Sequence, residues 1–382
     1  MAKPERLTGT PDYASPPGRI LEKTLAGRSI AKASFAERCG HSAKMISEII
    51  AGKAPIEPET AIEFERVLGT PATYWLNLET LYRLRIAEQQ ERERHAKAQL
   101  WAKRFPLAAM VRLGHIEKPS DSTDAVRKLL NYFAVASVEI WESLLVQQHV
   151  EVAYRKSRSF ESAPESVAAW LRRGETIAEN RQCGPFDACA FKRVLTEVRP
   201  LTREKPSVFQ PKLITMCAEV GVVVAFTPEL PKTCLSGATR WLSKDKALIQ
   251  LSLRHKTDDH LWFTFFHEAG HVLLHPKKLI IDEPVKRNAV LDPETARREQ
   301  EANEYAAAAL IPRDEWQTFI RAANFSAGRI RDFAKRLEIA PGIVMGQLQH
   351  NNLVPYPTPL NSLKVHFEWA EKTARPSPPS DK

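Results

Sequence analysis

The sequence predicts a multidomain chain with an all-α N-terminal domain, a helical middle region and an α+β C-terminal domain. Three observations carry that expectation. Residues 19–88 read as short helical patterns punctuated by Gly and Pro. Two apolar runs, VGVVVAFT at 220–227 and KALIQLSL at 246–253, read as strands within a mixed region spanning 206–355. Directly after them, FFHEAGHVLLH at 265–275 places imidazoles and a carboxylate in a helix otherwise apolar enough to be buried. The expected boundaries are a loose, Pro-rich arm at 1–18, the first helical domain at 19–88 and a helical linker at 89–205. The α+β domain follows at 206–355, with a Pro-rich tail at 356–382.

Bulk properties bound the reading. The net charge of +9 favours an anionic partner such as nucleic acid without requiring one. The first residues lack an apolar signal-peptide core, and no run approaches the roughly 18 apolar residues of a membrane span. A cytoplasmic location, nucleoid-associated when bound to DNA, is therefore expected, with no membrane partner. Cys39, Cys183, Cys189, Cys217 and Cys234 are odd in number and lack CxxC spacing, so reduced thiols are expected rather than a zinc knuckle or disulfide framework.

The first chemistry-bearing segment is SFAERCGHSAKMISEIIAGK, residues 34–53. Phe35 and Ala36 mark one helix, Gly40 permits a tight turn, and Ser42 suits the N-cap of a second helix. Ile46, Ile49 and Ile50 give that second helix an inward face, and Gly52 ends it. Two short helices joined by a glycine turn form a helix-turn-helix. Its DNA-facing candidates are Ser42, Ala43, Lys44, Ser47, Glu48 and Lys53, with Lys32 and Arg38 as further phosphate contacts. Residues 1–55 hold nine Lys or Arg against five Asp or Glu, which supports this reading; an ordinary helical hairpin is the competing one.

The longer stretch from Pro17 to Arg85 resembles the HigA-type antitoxins of the XRE helix-turn-helix class. The matching features are Pro17-Gly18, GHSAKMISEIIAGK, Pro58-Glu59-Thr60-Ala61 and WLNLETLY from Trp75. The resemblance implies a five-helix, lambda-repressor-like domain that binds operator DNA, usually as a dimer.

In the second segment, TDDHLWFTFFHEAGHVLLH reads as one helix. Thr257 can cap it, Asp258 and Asp259 suit its positive end, and Pro276 stops it. His267 and His271 stand four residues apart on one face and can share a Zn²⁺; Glu268, one step round, can take a proton from water on that metal. A third ligand is needed. Asp282 and Glu283 in the following loop are candidates, but the preferred one is Glu299. It shares a face with Ala302, Ala306, Ala309 and Leu310 on a helix starting at Asp292-Pro293, where small alanines allow close approach. Glu301 is the alternative, and His275 reads as a helix-end histidine outside the site. Arg240, His255 and Tyr305 are weighed as oxyanion stabilisers, and KALIQLSL as a strand that pairs with an extended substrate.

LSGATRW, the HEAGH helix and EQEANEYAAAALIP resemble the ImmA/IrrE-type metallo-endopeptidases, zincin-like proteins that pair HExxH with the glutamate of an ExxAN motif, here Glu299. The resemblance implies cleavage of a regulatory protein such as a repressor or antitoxin. FAKRLEIAPGIVMGQLQHNNLVP, from Phe333, resembles the helical segment that follows such cores and is given a structural or substrate-docking role. The expected function is a DNA-binding regulator carrying a zinc endopeptidase. The alternative is a HigA-like repressor or antitoxin whose protease-like part senses or scaffolds without turnover.

Overall fold

The computed structural model describes residues 16–147, 163–275, 280–282 and 293–370. Most of the expected N-terminal arm, Pro276, Glu283, Asp292 and the RPSPPSDK segment lie outside the described residues. The chain divides into two compact units, Met1–Gln99 and Leu100–Lys382.

In the first unit, α1 (Pro17–Gly27), α2 (Lys32–Arg38), α3 (Ala43–Ile50), α4 (Pro58–Leu68) and α5 (Ala72–Lys97) enclose one core. Leu21, Phe35, Ile46, Phe64 and Trp75 are its fully buried centre. The Phe64 ring meets Phe35 at 5.0 Å and Trp75 edge-on at 5.8 Å. Gly40 sits at φ +72° between α2 and α3 and Gly52 at +73° after α3, a backbone region in which a Cβ is strained. Ser42 caps α3, its hydroxyl oxygen accepting from the Met45 amide at 3.1 Å. Ser42→Ala is expected to cost about 1 kcal/mol, measured as a lower unfolding midpoint of this unit. The expected boundary at residue 88 falls inside α5: the charged run EQQERERHAKAQ continues that helix instead of starting a linker.

The second unit begins with small helices, including α6 (Gln99–Ala102), α7 (Leu107–Arg112), α8 (Ser122–Phe133) and α9 (Val138–Gln147). Trp101, Phe133 and Trp141 of these helices and Phe105 from the turn between α6 and α7 pack their rings 4.9–5.5 Å apart in contacting pairs.

A mixed sheet follows. Its strands are β1 (Val222–Phe226), β2 (Gly237–Ser243), β3 (Lys246–Leu251) and β4 (Ile280–Asp282), in the order β1-β3-β2-β4. β1 runs parallel to β3, and β2 is antiparallel to both β3 and β4. β3 is therefore interior, with both edges taken. The expectation that KALIQLSL offers an edge to a substrate is incorrect; the edges among the described residues are β1 and β4.

Both faces of the sheet are covered, which is why VVVAF is apolar without alternation. Val222, Val224, Ala247 and Ile249 face α12 (Pro206–Glu219) and α13 (Asp258–Leu274). Val223, Ala225 and Leu248 face α10 (Pro164–Glu179). The Trp170 indole on α10 donates to the Thr227 carbonyl at 3.1 Å, and the Gln250 amide donates back to the Trp170 carbonyl at 2.7 Å. Phe191, Leu195 and Val198 of α11 (Ala188–Val198) join the α12–α13 core. Residues from 164 onward in the expected linker are thus part of the α+β unit: α10 covers the second apolar face of the sheet, and α11 joins the core on the first.

Beyond the sheet lie α14 (Pro293–Leu310), α15 (Arg313–Arg321), α16 (Ala327–Arg336) and α17 (Pro341–His350). The FAKRLEIAPGI segment fills the core with Phe333, Ala334, Ile339 and Ile343, consistent with a structural role. The expected tail also needs correction. Leu363 and Phe367 are buried in the same core, and Thr257 bridges to His366. The Asp258 amide donates to the Val365 carbonyl at 2.9 Å, and Lys364 pairs with Asp259 at 2.7 Å. Packed structure therefore continues well past residue 355.

Candidate metal centre and DNA-facing helix

α13 is buried nearly all round, so each polar residue on it must be satisfied by a partner brought from elsewhere. Thr257 stands at the N-cap position, but its hydroxyl makes no capping bond there. Asp258 and Asp259 occupy the first turn as expected.

α14 crosses close to α13. Ala302 and Ala306 are fully buried, and a Cβ on Gly270 would lie 3.4 Å from the Ala302 Cα. This approach brings Glu299 to the histidines. Its carboxylate oxygens lie 3.3 Å from His267 Nε2 and 3.5 Å from His271 Nε2, and the two Nε2 atoms are 3.0 Å apart. One donor atom from each of the three residues falls within 4.8 Å of the others, and among the described residues this is the group with the donors to hold a metal ion.

The outer nitrogens are held as well. His267 Nδ1 lies 3.0 Å from Asn303 Oδ1. His271 Nδ1 lies 3.0 Å from His275 Nδ1, and His275 Nε2 lies 2.7 Å from Glu301 Oε2. The acceptors assign the tautomers. Glu301 accepts from His275 Nε2–H, which leaves His275 Nδ1 to accept from His271 Nδ1–H. Asn303 Oδ1 accepts from His267 Nδ1–H. Both inner Nε2 atoms then carry lone pairs, directed with the Glu299 carboxylate at one point. Three acceptors converge there, an arrangement a cation stabilises and fits. Burial pushes His271 below the ordinary imidazole range. Burial would raise Glu299, but His267 and His271, when protonated, outweigh it and hold the carboxyl down at about 2. With both rings neutral that charge is missing, and a bound cation would supply it.

Glu268 is fully buried and turned to the sheet, outside the three-residue group. The Thr239 hydroxyl on β2 donates to its Oε2 at 2.5 Å. Gly237 makes room, since a Cβ there would lie 2.6 Å from Glu268 Oε1. Sequence reasoning missed Thr239, Asn303 and the His275–Glu301 pair. Asn303 was open to detection: it lies four residues beyond Glu299 on the same helix face. His275 is part of the arrangement after all, through His271, and Glu301 is its partner, not a direct participant. The oxyanion candidates are placed elsewhere. Arg240 alternates to the other face of β2 and pairs with Glu175, His255 stacks on His260 at 4.2 Å, and Tyr305 packs against Gly270. Asp282 lies in β4, opposite Gly237.

On the first unit, Ser42, Ala43, Lys44, Ser47 and Lys53 are exposed and Glu48 is half-buried. Ser47 donates to the Ala43 carbonyl at 2.8 Å, and Lys44 reaches Glu48 at 3.9 Å. Arg38 is exposed, while Lys32 is paired with Glu22 at 2.6 Å.

A helix-turn-helix unit joined in one chain to an α+β unit bearing HExxH and a glutamate helix defines the class. Residues 23–75 match the family described as Helix-turn-helix, and residues 217–344 match Peptidase_M78, the IrrE N-terminal-like domain. The chain belongs to the XRE-type helix-turn-helix regulators and carries a C-terminal IrrE/ImmA-like peptidase-family domain.

Its curated relatives include the uncharacterized HTH-type transcriptional regulator YddM of Escherichia coli (strain K12), 32% identical over 73 residues, covering 19% of this chain and 78% of YddM. Virulence-associated protein I of Dichelobacter nodosus is 34% identical over 76 residues, covering 20% of this chain and 70% of that protein. A crystal structure of a presumed antidote protein of a plasmid maintenance system from Nostoc punctiforme matches at 32% identity and a TM-score of 0.21. It covers 22% of this chain and 91% of that one. Among the described residues, no helix is long and apolar enough to cross a membrane.

Proposed function

We propose that the chain is a DNA-binding regulator whose C-terminal unit is a zinc-dependent endopeptidase acting on a regulatory protein. The observation that carries this reading is the convergence of His267 Nε2, His271 Nε2 and the Glu299 carboxylate on one point, with the outer nitrogens already engaged. Three protein ligands with room for a water are the pattern of catalytic rather than structural zinc. Bound zinc supplies a Lewis acid that polarises a carbonyl and brings the pKa of water to near 7.

The chain's own residues do the rest. Asn303 and His275 fix the ring orientations of the two histidines. Thr239 holds one oxygen of Glu268, and the Glu268 carboxylate accepts a proton from the attacking water and returns it to the leaving amine. The exposed face of α3, with Ser42, Ala43, Lys44, Ser47, Glu48 and Lys53, lies in the major groove of operator DNA. The counterions that Lys44, Lys53 and Arg38 release make that binding salt-dependent.

Metal analysis of the full chain tests the centre. About one zinc per chain is expected, and His271→Ala is expected to lose it. A chain that takes up no zinc from micromolar solution overturns the reading. The alternative, regulation without turnover, draws on the matched relatives, which correspond to only 19% and 20% of this chain and include an HTH-type transcriptional regulator. Hydrolysis of no candidate repressor or antitoxin by the zinc-loaded chain, with operator binding intact, would favour it.

A further inference from the structure

The helix that carries His267 and His271 is tied at its N-terminal end to a strap, residues 359–367, from much later in the chain. The Phe367 amide donates to the Lys256 carbonyl at 2.8 Å, and the Asp258 amide donates to the Val365 carbonyl at 2.9 Å. The Val365 amide returns a bond of 3.0 Å to Asp258 Oδ1. Leu363 and Phe367 anchor the strap in the core.

Two carboxylates meet at this joint, and one lysine serves them. Asp258 and Asp259 are 1% and 6% exposed. Both face α17, on successive turns. A Cβ on Gly342 would lie 2.4 Å from the Asp258 carboxylate oxygens, and one on Gly346 would lie 2.5 Å from Asp259 Oδ2. Lys364 pairs with Asp259 at 2.7 Å. Arg254 is turned to the Cys234 carbonyl instead. Asp258 Oδ2 is buried and has no hydrogen-bond partner among the described residues. A buried carboxylate beside a second negative charge is costly to ionise, and taking up a proton relieves it. Burial, joined by the Asp259 charge, pushes the Asp258 carboxyl up from 3.8 to about 6, against the amides of Val365, Asp259 and Asp258 that favour the anion.

We propose that Asp258 is a proton-operated catch for the strap. Protonated, the carboxyl keeps its bond from Val365 and leaves no unpaired charge behind it, so the strap is held. Ionised, it carries a buried charge that opening to water relieves, so the strap opens more often. Asp258 lies nine residues before His267, and the catch uses no proposed metal ligand, so it stands whether or not the centre hydrolyses peptides. The stability it contributes is complete below about 3.8 and is lost as the pH rises through about 6. His255 and His260, stacked at 4.2 Å near Asp259, act with the opposite sign. Desolvation holds both below the ordinary imidazole range, so their protonation loosens the joint as the pH falls.

Hydrogen exchange of the full chain tests the catch. It is read by mass spectrometry on peptides covering 359–367, corrected for the intrinsic pH dependence of exchange, with peptides of α3 as the reference. The strap is expected to be about tenfold better protected at pH 5 than at pH 8, with the change levelling off above about pH 7. Asp258→Asn, which keeps an acceptor for Val365 and carries no charge, is expected to hold the same protection at both pH values. Parent protection that is flat, or that rises with pH, overturns the catch. An Asn variant that keeps the tenfold change overturns it as well. The parent chain alone decides the sign, whether or not the variant folds.

Discussion

Glu268→Gln is expected to lower peptide hydrolysis by about 10²–10⁴-fold, the range for losing a general base, and to leave zinc content and operator binding unchanged. The substitution keeps the side chain's size. The Thr239 hydroxyl, which donates to Glu268 Oε2 at 2.5 Å, can donate equally to an amide oxygen. The close fit beside Gly237 is also kept, so the fold has little to lose. What disappears is the capacity to accept a proton. The histidines and Glu299 do not depend on that carboxylate, so metal content should not follow activity. A variant that cleaves as fast as the parent chain would remove Glu268 from the mechanism. A variant that loses zinc would make the residue structural.

Gly18→Ala is expected to destabilise the helix-turn-helix unit by about 3 kcal/mol, the upper end of the usual cost of overpacking, and to weaken operator binding with it. A Cβ at Gly18 would lie 2.1 Å from the Ile49 carbonyl oxygen and 2.3 Å from the Ile50 Cα. Both are backbone atoms of α3, so no rotamer change relieves the clash, and α1 and α3 must separate. α3 carries most of the residues proposed to face DNA, so its displacement is expected to reach operator binding directly. Gly27→Ala is the control: nothing lies within 4 Å of its Cβ position, and it should be neutral or gain up to about 1 kcal/mol from helix propensity. Thermal unfolding of the two variants, with zinc content as a readout of the other unit, separates these outcomes. Equal midpoints would show that the α1–α3 contact is not set by Gly18.

The features legible in the sequence were those that a local period determines. Ile46, Ile49 and Ile50 turn inward and Ser42 caps because a helix of 3.6 residues per turn leaves few options. The same period puts His267 and His271 together and sets Glu299 on the face of Ala302 and Ala306. The parts that were missed depend on contacts between distant residues. Trp170 meets the carbonyl of Thr227, 57 positions later, and nothing within α10 announces that partner. Strand order, which makes β3 interior, is a property of the whole sheet. His275 looked like a helix-end histidine because its partner Glu301 comes from another helix, and only that bond turns its Nδ1 toward His271. Residues 359–367 carry no period at all and are fixed by bonds to Lys256, Asp258 and Asp259.

That last attachment bears on the order in which the molecule matures as it is synthesised. The core of the first unit is drawn from Leu21 through Trp75, so the DNA-reading part has all its partners once α5 has been made. The helix carrying His267 and His271 begins at Asp258, yet its first amide finds its acceptor only when Val365 emerges, and the Asp259 charge only when Lys364 does. A nascent chain therefore holds a complete helix-turn-helix unit well before the helix of the candidate metal centre has all its partners.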